Sequence, residues 1–160
     1  MNKLTIYTDV SYNPIKKDEM VLGLVILQKS KIIEVFRHKY PVRYKKGKFE
    51  VYALNKAIKY LKNHYKYDYL KIRMEDFCFI SKLKDNPNKL KDFRIFIGTP
   101  GEIKWVKAHN GNPYNTLADK LCNYKAKQSP ETILKCWYKY QRFKKFVIIN
   151  HFTKSITVKF

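Results

Sequence analysis

IKWVKAHNGNPYNTLADKL, residues 103–121, contains a change of period that sets the order of the rest of the chain. Glu102–Lys107 reads as a strand. Beyond it, Leu117 and Leu121, like Ala118 and Cys122, stand four apart, as the core-facing stripe of a helix requires. Asn112 and Pro113 have the form of an N-cap followed by proline at the first helical position. The helix they open is expected to run to about Lys127. A polar segment containing His109, Asn110 and Gly111 joins the two elements.

Upstream, residues 3–9 alternate in character and suit a strand. A polar, proline-bearing stretch from Ser11 to Glu19 follows, and Met20–Gln28 is apolar enough for a buried strand. Residues 31–39 suit a third, joined through a short turn at Lys29–Ser30, which makes an antiparallel meander. Val51, Leu54, Ile58 and Leu61 then fall at helical spacing, placing an amphipathic helix over 49–64. Tyr69–Met74 returns to strand character. Residues 77–84 and 87–94 suit short helices separated by Asn86 and Pro87. The order β-β-β-α-β-α-β-α predicts an α/β fold, a mixed five-stranded sheet with helices on both faces.

Ser129 and Pro130 break the pattern, so residues 1–128 are expected to form one domain, with 129–160 a basic, aromatic C-terminal extension packed on it. On a helix in that extension Lys135, Lys139 and Arg142 would line one face, and Ile133, Trp137 and Tyr140 another. Val147–Asn150 and Ser155–Lys159 suggest a hairpin.

The 160 residues carry 34 Lys+Arg against 13 Asp+Glu, a formal net charge of +21. Such an excess favours a polyanion, because each cation placed at a phosphate releases a condensed counterion. Lysine richness alone could follow from a coding bias, but the scarcity of acids does not. No apolar run approaches the roughly 18 residues that span a bilayer, and the N-terminus lacks the form of a secretory signal. We expect a cytoplasmic protein, or a nuclear one in a eukaryote, without a membrane partner; Met1 fits a free-standing chain. Cys78, Cys122 and Cys136 are an odd set without C-x-x-C spacing, read as ordinary, partly buried thiols in a reducing compartment.

In a chain so poor in acids their positions carry information. Asp9 ends the first strand, Glu50 starts the first helix, Asp76 follows the fourth strand, and Asp119 lies beside the apolar stripe of the last long helix. Four such carboxylates could converge at strand ends, where α/β sheets place their sites. Like charges gathered there raise one another's pKa, and divalent cations relieve the repulsion. Oxygen ligands without His or Cys select magnesium or manganese, and a pair of magnesium ions is the recurring solution for phosphodiester cleavage. Each acid also has an ordinary reading. Glu50 could favour a helix N-terminus, Asp76 could cap the next helix, and Asp119 could pair with a lysine. Glu75, beside Asp76, leaves the choice between those two open.

Trp105-Val106, then His109-Asn110-Gly111, then Asn115 through Ala118-Asp119 resemble the last strand, loop and helix of type 1 ribonuclease H. The stretch IYTDVSY at 6–12 resembles that family's opening strand, and Glu50 with Ala53 its first helix. The acids stand 41, 26 and 43 residues apart, in the family's order. The resemblance spans roughly residues 3–127. It implies an endonuclease that hydrolyses the RNA strand of RNA–DNA hybrids, leaving 5′-phosphate and 3′-hydroxyl ends. It further implies two Mg2+ ions, with Mn2+ as a substitute, held by Asp9, Glu50, Asp76 and Asp119, and proton transfer or product departure assisted by His109. Substrate contacts are expected from Ser11, Arg43, Lys46, Asn110 and Asn115, with the extension as a further phosphate-binding surface and a monomer as the working unit.

The departures are specific. Val10 stands where the family has glycine, Lys46-Gly47-Lys48-Phe49 where it has asparagines, and Thr116 where many members have glutamate. Only 28 residues separate Asp76 from Trp105, too few for the extra basic helix of some members. These leave two rivals, a catalytically weak nucleic-acid-binding module and a nuclease of the same fold acting on DNA.

Overall fold

The computed structural model describes residues 1–13, 19–41, 49–86, 88, 98–107, 111–143 and 157–159. The expected helix at 87–94 and strand at 147–150 lie outside them, as do Arg43, Lys46, His109 and Asn110. Six strands are described: β1 (Lys3–Tyr12), β2 (Glu19–Gln28), β3 (Lys31–Pro41), β4 (Tyr69–Met74), β5 (Gly101–Trp105) and β6 (Thr157–Lys159). The helices are α1 (Phe49–His64), α2 (Phe77–Asp85), α3 (Pro113–Cys122) and α4 (Pro130–Phe143). The strands form one sheet in the order β3-β2-β1-β4-β5-β6. β1, β2 and β3 make the antiparallel meander, whereas β4 runs parallel to β1 and β5 parallel to β4.

β2 is buried from Met20 to Leu27 because helices cover both faces of the sheet, which is why it reads as an unbroken apolar run. Its turn into β3 has positive φ at both Lys29 and Ser30, the backbone that two-residue hairpins favour. On one face Leu4, Ile6, Leu24, Leu70 and Ile72 pack with Ala53, Leu54 and Leu61 of α1. On the other Tyr7, Val25 and Leu27 pack with Leu117, Ala118 and Leu121 of α3 and with Ile133 and Trp137 of α4. The five expected strands form the mixed sheet with helices on both faces, and a sixth strand joins it.

The structure differs from the sequence expectation in several respects; β1, for one, runs on to Tyr12, so that Ser11 lies in the strand rather than opening a loop. The extension adds β6, which pairs antiparallel with β5 and covers what would be an open edge of the sheet. α3 stops at Cys122 rather than near Lys127, because partners outside the helix take its last carbonyls. Ser11 Oγ donates to the Cys122 carbonyl, and Arg37 donates to that of Asn123 at 3.0 Å. In α4 the apolar face is Ile133 and Trp137, while Tyr140 is exposed, with the Lys120 ammonium 5.2 Å from its ring centroid. Trp137 also donates its indole N–H to the Pro113 carbonyl at 2.9 Å, tying α4 to the start of α3. Trp137→Phe keeps most of the ring packing but leaves that carbonyl without its donor. We expect a loss of about 1–2 kcal/mol in urea unfolding; an unchanged midpoint would show that the bond contributes nothing.

Candidate functional site: a carboxylate cluster at the strand ends

Asp9 lies in the C-terminal half of β1, in register with Gly23 of β2. Gly23 matters because of what lies over it: a Cβ there would come within 2.3 Å of the Ala118 carbonyl oxygen and 2.7 Å of the Cys122 nitrogen. The missing side chain lets α3 close directly onto the sheet. Asp119 and Cys122, three apart on α3, therefore share a face and meet Asp9. One ligand atom from each of Asp9, Asp119 and Cys122 lies within 4.8 Å of the other two. The Asp9 carboxylate accepts the Val10 amide at 2.8 Å and contacts the Cys122 thiol.

Glu50 enters from the first turn of α1. Its Oε2 is enclosed and has no hydrogen-bond partner among the described residues. Burial raises its pKa well above the ordinary value, and the charges of Asp9, Asp76 and Glu75 raise it further. Asp9 behaves alike: its pKa rises from 3.8 to about 6, through burial first and then through Glu75, against the Val10 amide, with a smaller push from Asp119. Burial and the neighbouring Asp9 and Asp119 push the Cys122 thiol up as well.

Glu75 and Asp76 follow β4 directly. Asp76 is the N-cap of α2, its Oδ1 accepting the Phe79 amide at 2.8 Å. Glu75 accepts a hydrogen bond from the Asn115 side-chain amide, and its backbone carbonyl accepts the Trp105 indole N–H at 3.0 Å. Asn115 is itself buried, its backbone amide held by Asn112 at 3.1 Å, and its Oδ1 has no partner among the described residues.

The structure thus brings Asp9, Glu50, Asp76 and Asp119 into one neighbourhood. Of the expected substrate contacts, Ser11 gives its hydroxyl to the end of α3, and Asn115 gives its amide to Glu75. Val10 lies on the opposite face of β1 from Asp9, half-buried against the α1 core. Thr116 donates its hydroxyl to the Asn112 carbonyl at 3.0 Å.

The sequence reading left Glu75 open beside Asp76 and gave Cys122 no place beside Asp9 and Asp119, where the structure puts it. Cys78 and Cys136 are exposed rather than partly buried. The spacing of Cys122 from Asp119 held a signal, since residues three apart share a helix face.

Among the described residues the ion pairs are Lys39–Glu19 and Arg73–Glu102, and neither touches the cluster. Five carboxylates are gathered, and no ion pair among the described residues reaches them, in a chain whose net charge is +21. The enclosed, unpartnered oxygen of Glu50 and the hard oxygens around Asp9 are the donor set that magnesium or manganese takes, so the residues present fit such ions. Cys122 is the one soft atom in the set.

No family model matches the sequence, and no curated protein matches it. Solved structures do. The ribonuclease H1 of the halophilic archaeon Halobacterium salinarum is 18% identical, with a TM-score of 0.54 over 76% of this chain and 95% of that one. The N-terminal ribonuclease H domain of a Mycobacterium tuberculosis protein is 14% identical, with a TM-score of 0.53 over 85% and 99% of the two chains. LC11 ribonuclease H1, solved in complex with an RNA/DNA hybrid, is 16% identical, with a TM-score of 0.53 over 75% and 94%. At these identities the likeness is one of fold, carried by the same mixed sheet with helices on both faces: the chain adopts the ribonuclease H-like fold.

Proposed function

We propose that the chain is a divalent-metal-dependent endonuclease that hydrolyses the RNA strand of RNA–DNA hybrids. The observation that carries this reading is the cluster of carboxylates, reached by no ion pair among the described residues, at the strand ends of a protein otherwise dominated by lysine. A module that only bound nucleic acid would gain nothing from buried negative charge beside phosphates.

In this reading Asp9, Glu50, Asp119 and one carboxylate of the Glu75–Asp76 pair hold two magnesium ions. Bound magnesium supplies Lewis acidity toward the phosphodiester and makes water acidic enough to attack at neutral pH. The side chains fix where the reacting phosphate sits. Asp9, against both Asp119 and the sheet, is the centre of the set. The basic surface holds the polyanion, and His109 carries the proton that the leaving 3′ oxygen takes up. Hybrid selectivity rests on duplex shape and on the 2′-hydroxyls of one strand. Val10 and the missing asparagines make that selectivity the least constrained part of the reading.

Three labelled duplexes test it with magnesium present: RNA–DNA hybrid, double-stranded DNA and double-stranded RNA. We expect cleavage of the RNA strand of the hybrid alone, leaving 5′-phosphate and 3′-hydroxyl ends. Cleavage of the DNA duplex would replace this reading with a DNA-acting nuclease. Tight binding without cleavage, in magnesium or manganese, would leave a binding module.

A further inference from the structure

We infer that the outward face of α4, with Lys120 of α3 at its border, is a binding site for single-stranded nucleic acid. Tyr138 stacks on a base, and Lys120, Lys135 and Lys139 take phosphates. The site needs neither the carboxylates nor a metal ion. Its use in catalysis rests on the proposed function: there the strand held is the unpaired continuation of a hybrid.

The packing of α4 decides which side chains can meet a partner. Ile133 and Trp137 are buried against Val25, Leu27, Leu117 and Leu121, and the Trp137 indole is tied to the Pro113 carbonyl. With that face fixed, the turn of about 100° per residue places every other position. Lys135 and Lys139, four apart, fall on the side away from the sheet, and both are exposed. Tyr138 and Tyr140 stand on the two borders of that side, 45% and 47% exposed. Large apolar side chains scattered singly over a surface are ordinary. Two within one helical turn, with lysines between them, are not scattered.

Tyr138 is held edge-on by Trp137, with 5.1 Å between centroids and 70° between planes. A ring already fixed loses little freedom when a base lies on it. Across the face, the Lys120 ammonium lies 5.2 Å from the Tyr140 ring centroid, which steadies an exposed cation at the border. The charge is not neutralised. Glu131 is the only acid between residues 129 and 160, against seven Lys+Arg. Its carboxylate is engaged first by its own backbone amide and by Ser129, with Lys135 a smaller attraction. Neither ion pair among the described residues involves Lys120, Lys135 or Lys139. A lysine-rich face complements any polyanion, and the aromatic ring decides which. A duplex keeps the faces of its bases inside the stack, whereas a single strand presents them to aromatic side chains.

The test is fluorescence anisotropy of labelled oligonucleotides about 16 nucleotides long, single-stranded or as a blunt RNA–DNA hybrid, with the full chain and EDTA in place of metal. We expect Tyr138→Ala to weaken single-strand binding about tenfold, the loss of one stacked base, and blunt-hybrid binding less than about twofold. Tyr138→Phe keeps the ring and its contact with Trp137 and should stay within about threefold of the parent. Lys135→Gln with Lys139→Gln should lower the slope of log affinity against log salt by about 1.4, at about 0.7 per phosphate contact. That exposed lysine pair keeps the test open should Tyr138→Ala melt low. The assignment fails if the parent binds no single strand, if Tyr138→Ala binds it as tightly as the parent, or if the losses on single strand and blunt hybrid are equal. It also fails if the parent sediments as a dimer that Tyr138→Ala separates, which would give the face to a second copy of this chain. Absence of cleavage once metal is restored would strike the proposed function alone and leave the single-strand site standing.

Discussion

Asp9→Asn is expected to lower hybrid cleavage by at least about 10³-fold while making the metal-free protein more stable. The first effect follows from position. Asp9 is the carboxylate whose oxygens face both Asp119 and Cys122, and an amide in its place removes a charge that holds the metal ions. Metal-ion stabilisation of a transition state is worth several kcal/mol, and about 4 kcal/mol corresponds to a thousandfold in rate. Binding of the hybrid should persist, since it rests on cations elsewhere.

The second effect has the opposite sign because the same charge is costly when no ion is present. The Asp9 pKa is near 3.8 when free in the unfolded chain and about 6 when folded. Below the lower value both states are protonated and there is no penalty. Between the two the unfolded chain ionises while the folded one does not, so stability falls as pH rises. Above about 6 the full penalty applies, of order 3 kcal/mol at about 1.4 kcal/mol per unit. Asn cannot ionise. The variant should therefore melt about 6–12 °C above the metal-free parent at pH 7, with the gap closing toward pH 4. Magnesium should narrow the gap at pH 7 by stabilising the parent more than the variant. A variant that melts no higher than the parent at pH 7 without metal would mean that the cluster carries no repulsion. Retained cleavage would remove Asp9 from the site.

Most of this architecture was legible in the sequence because periodicity survives where elements are long. α1 was placed at 49–64 from four apolar positions, and β4 at 69–74 from its strand character. What escaped were features set by partners distant in the chain. The end of α3 depends on Ser11 and Arg37, which lie far from it in sequence. Strand character at Ser155–Lys159 was legible, but the pairing of β6 with β5 was not. Glu75 and Asp76 are adjacent acids with no sequence signal to separate their roles. The structure gives them different partners: Asp76 caps α2, and Glu75 is bound by Asn115. Gly23 looked like an unremarkable member of an apolar run. Its role comes from a helix almost a hundred residues downstream.

That role makes Gly23→Ala the second large expected effect. The added carbon would meet backbone atoms, the Ala118 oxygen at 2.3 Å and the Cys122 nitrogen at 2.7 Å, as well as the Leu121 Cβ at 3.0 Å. A flexible side chain could swing away, but a helix backbone cannot, so α3 must lift from the sheet as a unit. Overpacking of this kind costs typically 1–3 kcal/mol and more where backbone must move, so about 3 kcal/mol is expected. That corresponds to a fall of about 6–12 °C in melting temperature.

The displacement also reaches the chemistry, because Gly23 is the register partner of Asp9 and α3 carries Asp119 and Cys122. A misplacement near 1 Å can cost about 10²-fold in rate. Cleavage should therefore fall about that far at a temperature where the variant is still folded. Leu121→Ala is the matching control. It opens a cavity under the same helix and should cost about 2–5 kcal/mol, yet it pushes nothing away from Asp9. If the two variants lose equal stability but Gly23→Ala loses far more activity, close contact between α3 and β2 is what sets the distance between Asp9 and Asp119. Equal losses of activity would mean that the site tolerates the shift and that Gly23 serves the core alone.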